Sequence, residues 1–222
     1  MIFVRQLPVS LRFALICFGL AAGGELAEAQ TTVTKKPTGQ ISQTITDWSS
    51  APTSADIGEF GSGTQATETL VGPVSLAGIT FTNALGANTA FVTANGSILT
   101  LGAAGITVAA DSKNIVINHG LTLAASQAWN IGSGRVLEVG GVIDDAAGGL
   151  GFTKSGAGRV TLSGSASNTF TGLTTLTGGV LFLNKSGGAT AIAGNISASG
   201  NPANIELGAG NQIADTSIIT LA

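Results

Sequence analysis

From Leu70 onward, apolar and polar residues alternate in short runs, each opened by a glycine or bounded by an asparagine. The pattern appears as Gly78-Ile-Thr-Phe81, Gly105-Ile-Thr-Val108, Gly120-Leu-Thr-Leu123, Gly158-Arg-Val-Thr-Leu162 and Gly179-Val-Leu-Phe-Leu183. Between these lie Leu99 to Leu101, Ile115 to Ile117, Val136 to Val139, Ile205 to Leu207 and Ile218 to Leu221. Period-two alternation over four to six residues between turn formers predicts strands. Outside the first 29 residues no stretch carries a convincing helical period.

A second, longer period decides the architecture. Leu99 to Leu121 is 22 residues, Leu162 to Leu183 is 21, and Leu183 to Leu207 is 24. Leu176 to Ile196 is 20, and Ile196 to Ile218 is 22. A repeat just above twenty, holding two or three strands, predicts a solenoid in which each coil stacks on the last. A β-sandwich would place strands every 8–12 residues without that second period. The sequence therefore predicts an all-β chain: a right-handed parallel β-helix of about eight coils over residues 47–222, with Ile, Val, Leu and Phe in inward columns. Outward positions would carry ladders of Thr, Ser and Asn.

Composition supports many tight turns and a small-residue surface. Only 9% of the 222 residues are charged, against about a quarter in ordinary domains, while 33 are glycine and 44% are apolar. The net charge of −3, with no basic cluster beyond Lys35-Lys36, gives no footprint for nucleic acid.

Residues 1–29 read as a secretory signal peptide: Arg5 and Arg12, an apolar run from Phe13 to Ala22, and the Ala27-Glu-Ala29 cleavage pattern. The run is too short to span a bilayer. Cys17 lies within it, after Ile16 rather than after a small residue, so it reads as an apolar residue removed with the signal. Cleavage before Gln30 leaves a cysteine-free chain with seven basic and ten acidic residues. Residues 30–46, rich in Thr, Lys and Gln, read as a flexible exposed leader. Trp48 reads as a hydrophobic plug over the open start of the fold. At the other end, Thr216 to Ala222 stops in mid-strand, which suggests a fragment of a longer protein.

Residues 149–184, GLGFTKSGAGRVTLSGSASNTFTGLTTLTGGVLFLN, resemble the autotransporter-associated β-strand repeat, also called the passenger-associated transport repeat. The correspondence runs through Phe152-Thr-Lys154, Gly156-x-Gly158, Val160-Thr-Leu162, Asn168-Thr-Phe-Thr-Gly172 and Gly179-Val-Leu181, with Phe170 where tyrosine is usual. Ser165-Ala-Ser167 makes one connection about two residues longer than usual, within a turn. The segment DWSSAPTSADIGEF, from Asp47 to Phe60, resembles the opening of such proteins, with Ala55-Asp56 replacing Gly-Asp. The resemblance implies a secreted bacterial surface protein, a β-helical passenger or stalk with a structural or adhesive role. It also implies a C-terminal outer-membrane translocator barrel as a partner, for which this chain has no tract of aromatic-girdled strands.

The alternative class is a carbohydrate-active β-helix enzyme or glycan-binding module, which needs paired carboxylates or a calcium-bound acid. The best pair is Asp144-Asp145, but neighbours on a strand point to opposite faces, and the following Ala-Ala-Gly-Gly reads as a turn holding solvated acids. Lys154 and Arg159 flank a strand and could act as bases only beside acids; Lys154 belongs to the repeat pattern, which favours a structural or surface role. His119 has no partner of catalytic type nearby in sequence. In Gly148-Gly-Leu-Gly-Phe152 a phenylalanine stands where a calcium roll needs aspartate. Gly61-x-Gly63 precedes no helix, so it cradles no phosphate. The sequence thus assigns no catalytic, cofactor or metal residues. The surface or glycan ligand stays open.

Overall fold

The computed structural model describes residues 30–222 except 45, 63, 83–84, 94–95 and 201; the expected signal segment, Cys17 and Gly63 lie outside the described residues. Among those residues every regular element is a β-strand, and every pairing between strands is parallel. The chain winds around three faces.

Face A stacks nine strands: Thr32–Thr34, Ile57–Phe60, Val74–Phe81, Ile98–Val108, Gln127–Ile131, Phe152–Ser155, Thr174–Leu176, Ile196–Ala198 and Ile219–Leu221. Nine strands on one face make eight coils. Face B stacks Gln40–Ile41, Thr67–Leu70, Thr89–Thr93, Ile115–Ile117, Val136–Val139, Arg159–Leu162, Gly179–Leu183 and Ala203–Leu207. Face C holds the first halves of Val74–Phe81 and Ile98–Val108, then Gly120–Leu123 and Ile143–Asp145. Residues 168–170 stack on it through the N–H of Thr169, which donates to Ile143 O.

Period-two alternation produces the core. On face B, Ile115, Leu137, Val160, Leu181 and Ile205 form one inward column, and Ile117, Val139, Leu162, Leu183 and Leu207 the next. On face C, Leu99, Leu121 and Ile143 align behind Val74. Because the side-chain period is two, a slip by one residue would turn each column outward. Two of the expected alignments are shifted, the first by two residues, which keeps its parity, and the second by one. Leu176 lies over Ala198 rather than Ile196, and Ile196 lies under Ile219 rather than Ile218. Ile218 consequently points outward and is 65% exposed.

The start of the fold also differs from expectation. Residues 30–46 are not a leader: Thr32–Thr34 pairs with residues 57–59 and Gln40–Ile41 pairs with 69–70, so the solenoid begins at Thr32. Val33 and Ile41 point inward and are buried, which the Thr-rich composition conceals. Trp48 is not a lid above the end but lies fully buried inside the first coil. It bridges antiparallel to Lys35, meets Phe60 edge-on at 5.4 Å, and donates its indole N–H to Ser42 O.

Candidate functional site

The residues that carry the repeat pattern occupy one coil, and most of them fasten it to its neighbours. Lys154 shares strand parity with Phe152, so it points inward, in a column with Ile79, Ile106, Trp129 and Leu176. It is fully buried, and its Nζ donates to Ser155 O at 2.7 Å, Gly156 O at 2.8 Å and Gly178 O at 3.0 Å. The first two carbonyls belong to its own corner and the third to the next coil. Gly156 sits at φ +74°, where a side chain would be strained and would run into Ile131 O of the preceding coil. Asn168 is buried and bridges three coils. Its Oδ1 accepts the N–H of Ile143 at 2.9 Å, and its Nδ2 donates to Ala191 O at 2.9 Å. Phe170 packs on Phe152 at 5.7 Å, and Phe152 stacks on Trp129 at 4.1 Å.

The two candidate acids are separated by the strand that carries them. Asp144 and Asp145 lie on the strand Ile143–Asp145, not in the turn expected for them. Asp144 faces solvent and accepts from Thr169 Oγ1 at 3.0 Å. Asp145 continues the inward column of Leu76, Leu101 and Leu123 and is buried. Its Oδ2 accepts from Leu150 N, Thr171 N and Thr171 Oγ1, each within 3.1 Å. Burial raises its pKa, but these three hydrogen bonds outweigh burial and hold the carboxyl below its usual range. It therefore clamps the turn after it to the Asn-Thr-Phe-Thr segment of the next coil.

His119 is buried at a corner, its Nδ1 beside Gly120 O at 3.0 Å and its ring stacked on Phe91. Burial lowers its pKa, partly opposed by the Gly120 carbonyl. Arg159 lies on the outer side of face B, 5.0 Å over the Phe182 ring and 2.9 Å from Glu206. Lys154 and Arg159 thus lie on opposite sides of the wall, and neither meets Asp144 or Asp145. No group of three or more His, Cys, Asp or Glu residues that could hold a metal occurs among the described residues. A shallow groove of about 380 Å³ runs along the outside of face A between Ser126, Ala128, Gly149, Thr153, Leu173 and Thr175.

Sequence reasoning missed that three lysines are buried. Lys185 is 1% exposed and reaches back across two coils, to Ser163 O at 2.8 Å and Gly141 O at 3.4 Å. Strand parity could have found all three: Lys35 follows Val33, Lys154 follows Phe152, and Lys185 follows Leu183, each by two residues. Burial lowers the pKa of Lys154 and of Lys185 from 10.5 to about 8. Between pH 8 and 10.5 the unfolded chain holds protons the folded one has released, so stability should rise with pH across that window. Urea midpoints at the two ends of the window test this. Lys154→Met should flatten the rise, and an equally steep rise in that variant would contradict the assignment.

The repeat coil also matches a known family. Residues 152–181 match the Passenger-associated-transport-repeat family. The chain is 35% identical over 147 residues to the protein named Adhesin BmaC autotransporter of Brucella suis biovar 1 (strain 1330). That alignment covers 62% of this chain and 4% of the relative, so the chain spans a small part of that protein's length. No solved structure matches the chain significantly. The chain is therefore a β-solenoid that carries a passenger-associated transport repeat and is similar to an autotransporter adhesin.

Proposed function

We propose that the chain is a passenger segment of a bacterial surface protein, exported behind residues 1–29, displayed outside the outer membrane, and adhesive or structural in role. A translocator barrel outside this sequence would be its partner. The observation that carries this reading is the position of the repeat. Residues 152–181 form one coil of a continuous stack, bonded into the coils before and after it by Lys154, Asn168 and Asp145. The likeness to an adhesin autotransporter supports the same reading.

The role is contact rather than turnover. The acids suited to catalysis point to opposite sides of one strand, and Oδ2 of Asp145 is engaged by the scaffold. The outer sides of faces A and B offer long, flat, weakly charged surfaces, with Thr153, Thr175, Ser197 and Thr220 in one outward row. Such a surface suits adhesion through many weak contacts. Residues 30–222 fused to an unrelated outer-membrane barrel and displayed on a non-adherent bacterium should raise attachment to an epithelial monolayer several-fold over the barrel alone. Equal attachment with the segment demonstrably exposed would overturn the adhesive role.

A further inference from the structure

The first two coils enclose a group of charged and hydroxyl side chains that the passenger reading does not use. Lys35, Asp47 and Glu68 are all buried, and the side chains of Lys35 and Glu68 have no solvent exposure. Lys35 Nζ lies 3.2 Å from Glu68 Oε2, an oxygen with no hydrogen-bond donor of its own. The other oxygen, Oε1, accepts the backbone N–H of Gln65 at 2.7 Å. Lys35 Nζ also donates to Thr38 Oγ1 at 3.0 Å, and that hydroxyl donates to Asp47 Oδ1 at 2.8 Å. Ser42 Oγ donates to the second oxygen of Asp47, and Lys36 O accepts from Lys35 Nζ.

An ion pair this deep loses more in desolvation than an exposed one. Burial raises the pKa of Glu68, a tendency the Gln65 N–H and Lys35 only partly offset. A proton passed from one partner to the other would leave an amine held against a carboxylic acid, in contact and shielded from water. The surroundings supply what condensation needs. The Gln65 N–H stabilises charge on Oε1, and the Thr38 hydroxyl relays a proton to Asp47.

We propose that Lys35 and Glu68 join in an intramolecular amide bond that covalently staples the first coil to the second. The ammonium first passes a proton to Glu68 Oε2. The Nζ lone pair then adds to Glu68 Cδ, forming the C–N bond, while negative charge on Oε1 is held by the Gln65 N–H. A proton leaves Nζ through Thr38 Oγ1 to Asp47. Asp47 returns it through Thr38 Oγ1 and the nitrogen to Oε2, which lies beside that nitrogen, and the Oε2–Cδ bond breaks and releases water. No oxidant or co-reactant is needed, and held reactants replace a bimolecular encounter. Such a bond would pin the first two coils of a solenoid whose other coils are held by non-covalent contacts among the described residues.

The test is mass spectrometry of the folded, exported chain, denatured and digested with a glutamate-specific protease. Glu59 lies between the two partners, so cleavage there separates them unless the amide holds them together. The expected result is a linked pair, one peptide ending at Glu59 and the other running from Phe60 to Glu138, with a mass about 18 Da below the sum of the two free peptides. Glu68→Gln should give the same linked product by releasing ammonia, and Asp47→Asn should leave the chain unlinked or slow to link. Recovery of the free peptide from Phe60 to Glu68 from the folded wild-type chain would overturn the proposal, whether or not the variants fold. The readout is independent of attachment, so loss of adhesion cannot be mistaken for loss of the bond.

Discussion

Trp129→Ala should destabilise the solenoid by about 4 kcal/mol, the cost of emptying a large aromatic site that cannot collapse. Trp129 is fully buried between Ile106 on one side and Lys154 on the other in the same inward column. Its ring stacks on Phe152 at 4.1 Å with planes 13° apart, and Phe152 packs in turn on Phe170 of the repeat coil. Removing the ring also deprives Gln127 Oε1 of its 3.0 Å donor while Gln127 Nε2 stays bonded to Leu101 O. Because each coil touches chiefly its neighbours, the damage should be local at first. Hydrogen exchange should show lost protection at residues 105–108 and 152–155, with residues 203–207 little changed. A urea midpoint within experimental error of wild type would contradict the packing.

Asn168→Ala should cost about 3 kcal/mol, since it strands a buried N–H at Ile143 and a buried carbonyl at Ala191, each worth about 1–3 kcal/mol. The side chain is small, so little of this loss is apolar burial. Asn168→Asp separates the two contributions. It keeps an acceptor for Ile143 N but cannot donate to Ala191 O, so it should fall between alanine and wild type at neutral pH. Thermal unfolding of the three proteins measures the order. If aspartate matched wild type, the bond to Ala191 O would carry no weight.

Both variants explain why a repeat family can be recognised from few positions. Lys154 and Asn168 satisfy backbone groups at corners, where the strand ladder cannot, and Gly156 and Gly172 let the backbone of the preceding coil approach closely. A coil lacking them would leave carbonyls and amides unpaired in a dry interior. The three aromatic rings fill the space between corners.

The candidate chemistry was legible to different depths. That Asp144 and Asp145 point apart follows from adjacency on a strand, but the burial of Asp145 required knowing that Leu76, Leu101 and Leu123 stack in one column ahead of it. The inward lysines were readable from parity, yet a charge at an inward position argues against itself until the waiting carbonyls are seen. The Lys35–Glu68 contact joins residues 33 apart in sequence, across a coil boundary hidden in a Thr-rich stretch that read as a leader.

The alternation of apolar residues and the spacing of 20–24 residues determined by themselves that this chain is a stack of parallel coils, because a strand has only two sides and a solenoid must bury the same one in each coil. The glycine and asparagine bounds placed most corners within a residue or two. Tertiary structure alone decided which coil starts the stack, how Leu176 and Ile196 align with the coils beyond them, and which charged groups are enclosed. The physical reason is common to all three. Periodicity records the side a residue faces, whereas register, closure and the pairing of buried polar groups depend on atoms a full coil away.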